Sequence, residues 1–140
     1  MEPVRDYVHT VQYYETDKMG ITHHSNYIRW MEEARVDFLD QIGWNYAKLE
    51  ESGIISPVIN VTCDYKRTTT FSDVITISAC VKEFNGVKLK FAYEMKNAEG
   101  TVVFTATSMH AFLNQEGRPV RMKQDYPELY ETIMSLVQAP

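Results

Sequence analysis

Apolar residues recur every three or four positions from Tyr27 to Ile42 and every second position from Pro57 onward, which demands one long helix followed by a run of strands. Ile28, Met31, Ala34, Phe38, Leu39 and Ile42 form the helical stripe, with Arg29, Glu32, Glu33, Asp37 and Asp40 mostly opposite. Gly43 stops this helix, and Asn45 is placed to cap a short second one over 46–51 that ends at Ser52 and Gly53. Strands are expected at 4–14, 57–67, 74–84, 87–96 and 101–113, separated by polar turns near 70–73, 97–100 and 116–117. In 74–84, Ile75, Ile77, Ala79 and Val81 share a face, and in 87–96 Val87, Leu89, Phe91, Tyr93 and Met95 alternate with Lys88, Lys90, Ala92, Glu94 and Lys96. Asn85-Gly86 between them predicts a type I′ hairpin. The last strand is apolar on both faces: Val102, Phe104, Ala106 and Phe112 on one, Val103, Met109, Ala111 and Leu113 on or near the other. Asp125, Pro127 and Glu128 read as the cap and first turn of a C-terminal helix. The order strand, long helix, four strands, terminal helix predicts an α+β domain over residues 1–140, an antiparallel sheet wrapped around a central helix. The pattern alone fits a generic α+β domain equally well.

Composition narrows the function. At 140 residues the chain is long enough for one well-buried core and short for two. A formal net charge of −5 argues against nonspecific binding to nucleic acid, while leaving room for a small basic pocket for a phosphorylated ligand. The first ten residues hold no apolar signal core, and no run approaches the roughly 20 apolar residues of a membrane helix, so a cytoplasmic protein with no membrane partner is expected. Cys63 and Cys80 read as small apolar strand residues rather than a disulfide.

The chemistry is concentrated in 11–35, VQYYETDKMGITHHSNYIRWMEEAR. Asp17 lies in a tight polar loop with Gly20, His23, His24, Ser25 and Asn26, just before the long helix starts at about Ser25 or Asn26. A helix start presents unpaired N–H groups with partial positive charge, which suits a developing oxyanion. A carboxylate beside such donors is a candidate nucleophile or general base for acyl chemistry, although Asp after a strand also serves simply as a turn residue. Gly20 allows a tight bend or positive φ. Asn26 and Tyr27 read either as an N-cap and a core aromatic or as groups that orient the ligand. Two adjacent histidines rarely chelate one ion, and no partner set stands at zinc spacing, so no metal is expected. Glu33 and Arg35 read as a solvated or interface ion pair. Cations able to meet phosphate oxygens are Lys66, Arg67, Lys88, Lys90, Arg118 and Arg121, and the rings and aliphatic chains of Tyr14, Tyr27, Trp30, Ile59 and Met109 are candidates to line a pocket.

Tyr14, Thr16, Asp17, Gly20, His24, Asn26, Tyr27, Glu33, Ala34 and Arg35 follow, in order, a pattern of an aromatic, T/S-D, Gly, H/Y-x-N-Y and an acidic-x-A-R helix. This segment resembles the signature of hotdog-fold acyl-CoA thioesterases, the 4-hydroxybenzoyl-CoA thioesterase and YbgC-like family, and the likeness extends more loosely to about Arg121. The resemblance implies a hotdog fold and hydrolysis of an acyl-CoA thioester without a cofactor. It implies Asp17 as the catalytic carboxylate, Gly20 as the residue leaving room for the thioester, and His24 as a pocket ring whose backbone N–H polarises the carbonyl. It places Tyr14, Asn26, Tyr27, Lys66, Arg67, Lys88 and Lys90 around the substrate. Relatives often carry proline and arginine where this chain has Thr68 and Thr70. Two other readings share the fold: a hydratase or dehydratase acting on carrier-protein substrates, for which Glu33 is the acidic candidate, and a non-catalytic acyl-binding oligomer. A sheet covered by one helix on one face leaves its second face in need of another partner. The resemblance implies a homodimer with sheets joined edge to edge, often paired into a tetramer, with Asp17 of one chain meeting residues among 59–67 of its neighbour.

Overall fold

The computed structural model describes residues 3–137. Its strands are β1 (Tyr7–Thr10), β2 (Val58–Tyr65), β3 (Val74–Phe84), β4 (Lys88–Lys96) and β5 (Val102–Ala111). The helices are α1 (Ser25–Gln41), α2 (Tyr46–Glu51), α3 (Met122–Asp125) and α4 (Pro127–Leu136). All five strands pair antiparallel in one sheet, in the order β1-β3-β4-β5-β2. The second strand of the sequence therefore sits at the far edge, beside the last.

The period-two pattern places the core as expected on β3 and β4: Ile75, Ile77 and Val81 face Leu89, Phe91, Tyr93 and Met95 beneath α1, all buried. On β5 the alternation differs from the expectation. Phe104, Ala106, Ser108 and His110 form the inward face, and Val103 is fully buried as well. Here two polar side chains occupy core positions that an apolar count passes over.

The helix is rotated from the expected stripe. Its buried face is Asn26, Tyr27, Trp30, Met31, Ala34, Arg35, Phe38 and Leu39, and Ile28 is 45% exposed. Large aromatics win this competition because Tyr27 and Trp30 bury far more surface than one isoleucine. Tyr27 stacks on Phe104 with ring centroids 4.9 Å apart, and Phe38 meets Phe91 edge-on at 5.2 Å. Arg35 is buried rather than ion-paired with Glu33: it donates to the Tyr93 hydroxyl at 3.3 Å. Glu33 instead accepts from the Tyr7 hydroxyl and lies 3.6 Å from His9 Nδ1.

Three boundaries move for local reasons. The expected strand over 4–14 ends at Thr10, because 13–15 close a 3-10 turn. The hairpin at Asn85-Gly86 is not type I′, since Gly86 takes φ +88° and Asn85 does not take positive φ. Asn85, Gly86 and Val87 form a three-residue loop in which Asn85 Oδ1 accepts from Val87 and Lys88 N–H. Gly86 sits under Tyr130, where a Cβ would meet the ring at 3.5 Å. At the C-terminal helix, α3 already uses Asp125, so Tyr126 and not Asp125 precedes Pro127 at the start of α4. Asn45 caps α2 as expected, accepting from Lys48 N–H at 2.9 Å.

Edge strand β2 is the uncovered part. Val58, Ile59, Val61 and Tyr65 are 37–47% exposed, and the register slips at Ile59 between Val58 and Asn60. Val61, Cys63 and Tyr65 pair with the inward residues Ser108, Ala106 and Phe104. They point to the helix side of the sheet, yet lie at the edge beyond α1. The exposed apolar surface thus includes this edge, while the outer face of the sheet carries the half-buried Thr76, Ser78, Lys90, Glu94, Thr105 and Thr107.

Candidate active site

The loop between β1 and α1 is folded by its own hydrogen bonds. Thr16 and Thr22 form a β-bridge, and inside it Asp17 N–H donates to Ile21 O and Gly20 N–H to Asp17 O, each at 2.9 Å. Closing so short a loop requires a left-handed residue, and Gly20 supplies it with φ +80°. No heavy atom lies within 4 Å of a Cβ built there, so the conformation, not crowding within this chain, is what calls for glycine. The half-buried Asp17 carboxylate accepts the Met19 N–H on Oδ1 at 2.8 Å. Among the described residues its Oδ2 has no hydrogen-bond partner, so one oxygen orients the group and the other faces its surroundings.

Asp17 lies on the wall of an open cleft of about 340 Å³, with Thr22, His24, Tyr27, Tyr65, Lys66, Arg67 and Thr68 among the lining residues. The cleft brings together five residues singled out in the sequence: Asp17, His24, Tyr27, Lys66 and Arg67. His24 precedes the first turn of α1, and among the described residues its backbone N–H donates to no protein acceptor. Its carbonyl accepts the Tyr65 hydroxyl at 2.9 Å, which ties β2 to the loop. Lys66 and Arg67 N–H both donate to Val103 O, at 2.9 and 3.1 Å, bending the chain at the end of β2 and leaving both cationic side chains exposed at the rim.

The next residues hold the loop from the side. Thr22 N–H donates to Thr69 O at 2.8 Å, and the two hydroxyls lie 2.6 Å apart. The Tyr27 hydroxyl joins Thr69 Oγ1 at 2.9 Å, and burial pushes that phenol up, against the opposing pull of its threonine hydrogen bonds. Thr70 Oγ1 donates to Gly20 O at 2.7 Å. Thr70, one of the two departures from the family pattern, thereby becomes a tether for the loop.

Other expected site residues stand elsewhere. Tyr14 is 80% exposed on the 3-10 turn and does not line the cleft. Asn26 is not a helix cap: it is buried, and its Nδ2 donates to Glu15 O at 2.9 Å and His23 O at 3.3 Å. Trp30 is wholly buried, and Ile59 is at the β2 bulge. Lys88 and Lys90 line a separate hollow with Glu83, Asn85 and Met109. Arg118 and Arg121 are exposed near the turn before α3 and do not line the cleft. Among the described residues, no group of three or more His, Cys, Asp or Glu is placed to hold a metal ion.

Three features escape a reading of the sequence. Tyr65 and Thr69 reach the site through non-local strand placement. Glu15, 5% exposed, is a carboxylate inside the core, accepting from Gln12 N–H and Trp30 Nε1–H at 2.8 Å each, with His9 Nε2 also at 2.8 Å. Burial works to raise its pKa, but the Gln12, His9 and Trp30 contacts outweigh it and hold the carboxyl below the ordinary value. A third set, Arg35–Tyr93–Ser108–His110, runs through the core away from the cleft, with hydroxyl and imidazole contacts of 2.6 and 2.7 Å. Alternating acidic and apolar letters give no sign of such burial; only the capping spacing of Gln12 and Glu15 hints at it.

The chain as a whole is similar to known proteins. The family model of the Thioesterase-like superfamily matches residues 11–133. The chain is 31% identical over 119 residues to a Bacillus subtilis protein named as an acyl-CoA thioesterase, YneP, covering 84% of this chain and 86% of that one. It is 26% identical to the acyl-CoA thioester hydrolase YbgC of Escherichia coli over 86% of this chain and 84% of the relative. In three dimensions it is similar to the DHNA-CoA thioesterase of Staphylococcus aureus, with a TM-score of 0.88 and 28% identity, covering 94% of this chain and 89% of that one. A helix wrapped by an antiparallel sheet, a closed T-D-x-x-G loop at the helix start, and a match spanning the loop, helix and sheet lead to one conclusion: this chain is a hotdog protein that belongs to the Thioesterase-like superfamily.

Proposed function

We propose that the chain hydrolyses acyl-CoA thioesters to a free carboxylic acid and coenzyme A, with Asp17 as nucleophile or general base. The observation that carries this reading is the Asp17 carboxylate itself, held by Met19 N–H on one oxygen and set in a cleft beside the start of α1. A thioester carbonyl seated there has the His24 N–H and the positive end of α1 close to the oxygen on which charge develops. Asp17 then either attacks the carbonyl carbon, giving an anhydride that water opens, or takes a proton from the attacking water. In both routes the C–S bond breaks, and the thiolate leaves with little need of an acid; His24 is the nearby ring able to supply one. Lys66 and Arg67 at the rim suit the phosphates of coenzyme A. Lys88 and Lys90 lie in another hollow and carry no part of this reading.

The exposed β2 edge supports a homodimer whose sheets join there, bringing the cleft against a neighbouring chain, with dimers pairing further into tetramers. No helix among the described residues is long and apolar enough to cross a membrane, and we place this single hotdog domain in the cytoplasm. Incubation with a panel of short, long and aryl acyl-CoAs and a thiol reagent tests the activity. Release of free thiol is expected with at least one class; binding without thiol release would replace the hydrolase by an acyl-binding protein.

A further inference from the structure

Glu15 holds the two arms of the catalytic loop together, through both its carboxylate and its carbonyl. On the side-chain face, Oε1 accepts from Gln12 N–H and contacts His9 Nε2, and Oε2 accepts from Trp30 Nε1–H, all at 2.8 Å. A carboxylate only accepts, so His9 Nε2 carries the proton in this contact. These partners belong to the incoming arm, to β1 and to the core of α1. On the backbone face, Glu15 O accepts from His23 N–H at 2.8 Å and from Asn26 Nδ2 at 2.9 Å, which belong to the outgoing arm and the first turn of α1. Asp17 is two residues away, inside the Thr16–Thr22 bridge. Beside the Thr69 and Thr70 tethers, its position relative to the helix start therefore depends on the orientation of one buried residue.

We propose that Glu15 is a positioning residue: its buried carboxylate orients the turn so that its carbonyl clamps His23 and Asn26 and thereby fixes Asp17 against the N-terminus of α1. Glu15 touches neither the cleft nor a substrate, so its effect passes through Asp17. Two acceptor oxygens are essential because each meets a fixed donor, Gln12 N–H at Oε1 and Trp30 Nε1–H at Oε2. In Glu15→Gln, of almost equal volume, the amide NH2 must face either Trp30 Nε1–H or the Gln12 and His9 donors. Whichever way the amide turns, a donor meets a donor in a buried site. Glu15→Asp keeps the charge but is one methylene too short to reach both sides.

The inference rests on the hydrolase reading for its kinetic consequence and on amide exchange for its structural one. In Glu15→Gln, kcat should fall roughly 10- to 100-fold with KM within about twofold, because a small displacement of a reacting group costs rate more than binding. Hydrogen exchange followed by NMR should show faster exchange at the Asp17, Gly20 and His23 amides with β4 amides unchanged. Glu15→Asp should fall between the two proteins in both readouts. Ile133→Ala, on the buried face of α4, serves as a control that lowers melting temperature and leaves kcat and the loop pattern alone. Wild-type kcat and loop exchange in Glu15→Gln would overturn the proposal, as would acceleration spread evenly over all amides. If the wild type releases no thiol from any acyl-CoA, the hydrolase reading falls, and the loop amides still decide whether Glu15 holds the loop.

Discussion

His110 shows how much a single residue can carry in the core, away from the cleft. It is 2% exposed and hydrogen-bonded to Ser108, and burial, with the Arg35 guanidinium nearby, holds its imidazole down at about 4. The native state therefore favours the neutral ring. Its contribution to stability is fully present above the ordinary pKa of 6.5 and is lost as pH falls toward 4, because the unfolded chain binds the proton first. The loss is of the order of 3 kcal/mol. Melting curves between pH 4 and 7 should show His110→Gln losing less stability on acidification than the wild type. Parallel curves for the two proteins would contradict the assignment. At the same scale, Asp17, His24, Tyr27, Lys66 and Arg67 were legible from the order of residue types in one segment and at one strand end. Glu15, Arg35, Ser108 and His110 were not, because burial of a polar group depends on partners from other strands that the local letters do not reveal.

Among elements, the helix and the central strands follow directly from periodicity, since each spends its apolar residues on one face. Placement is a different matter. Nothing in the alternation of 57–67 says that β2 pairs with β5 at the far edge, yet that pairing brings Tyr65, Lys66 and Arg67 to the loop and sets Thr69 beneath it. The segment from β2 to β3 is thus as much part of the site as the loop. Thr69 is 2% exposed and its hydroxyl joins those of Thr22 and Tyr27. Thr69→Val keeps the shape and leaves those two buried groups short of a partner, at a cost of about 1–3 kcal/mol. Urea denaturation should show a lower midpoint with an unchanged m-value. A midpoint equal to the wild type would mean that the hydroxyl chain contributes nothing to the segment.

At the scale of the whole molecule, the proposed dimer would form along β2, where apolar side chains and a strand edge lie exposed together. Val61→Lys places a charge in that edge, and light scattering should then find monomers with little remaining activity. A fully active monomer would remove both the dimer and the shared cleft. The proposed hydrolysis depends most on Asp17. Asp17→Asn keeps an oxygen that can accept the Met19 N–H, so loop and melting temperature should stay near those of the wild type. It removes the charge, and kcat for acyl-CoA hydrolysis should drop by about 10² or more. A folded Asp17→Asn protein that turns over acyl-CoA at the wild-type rate would contradict the mechanism outright.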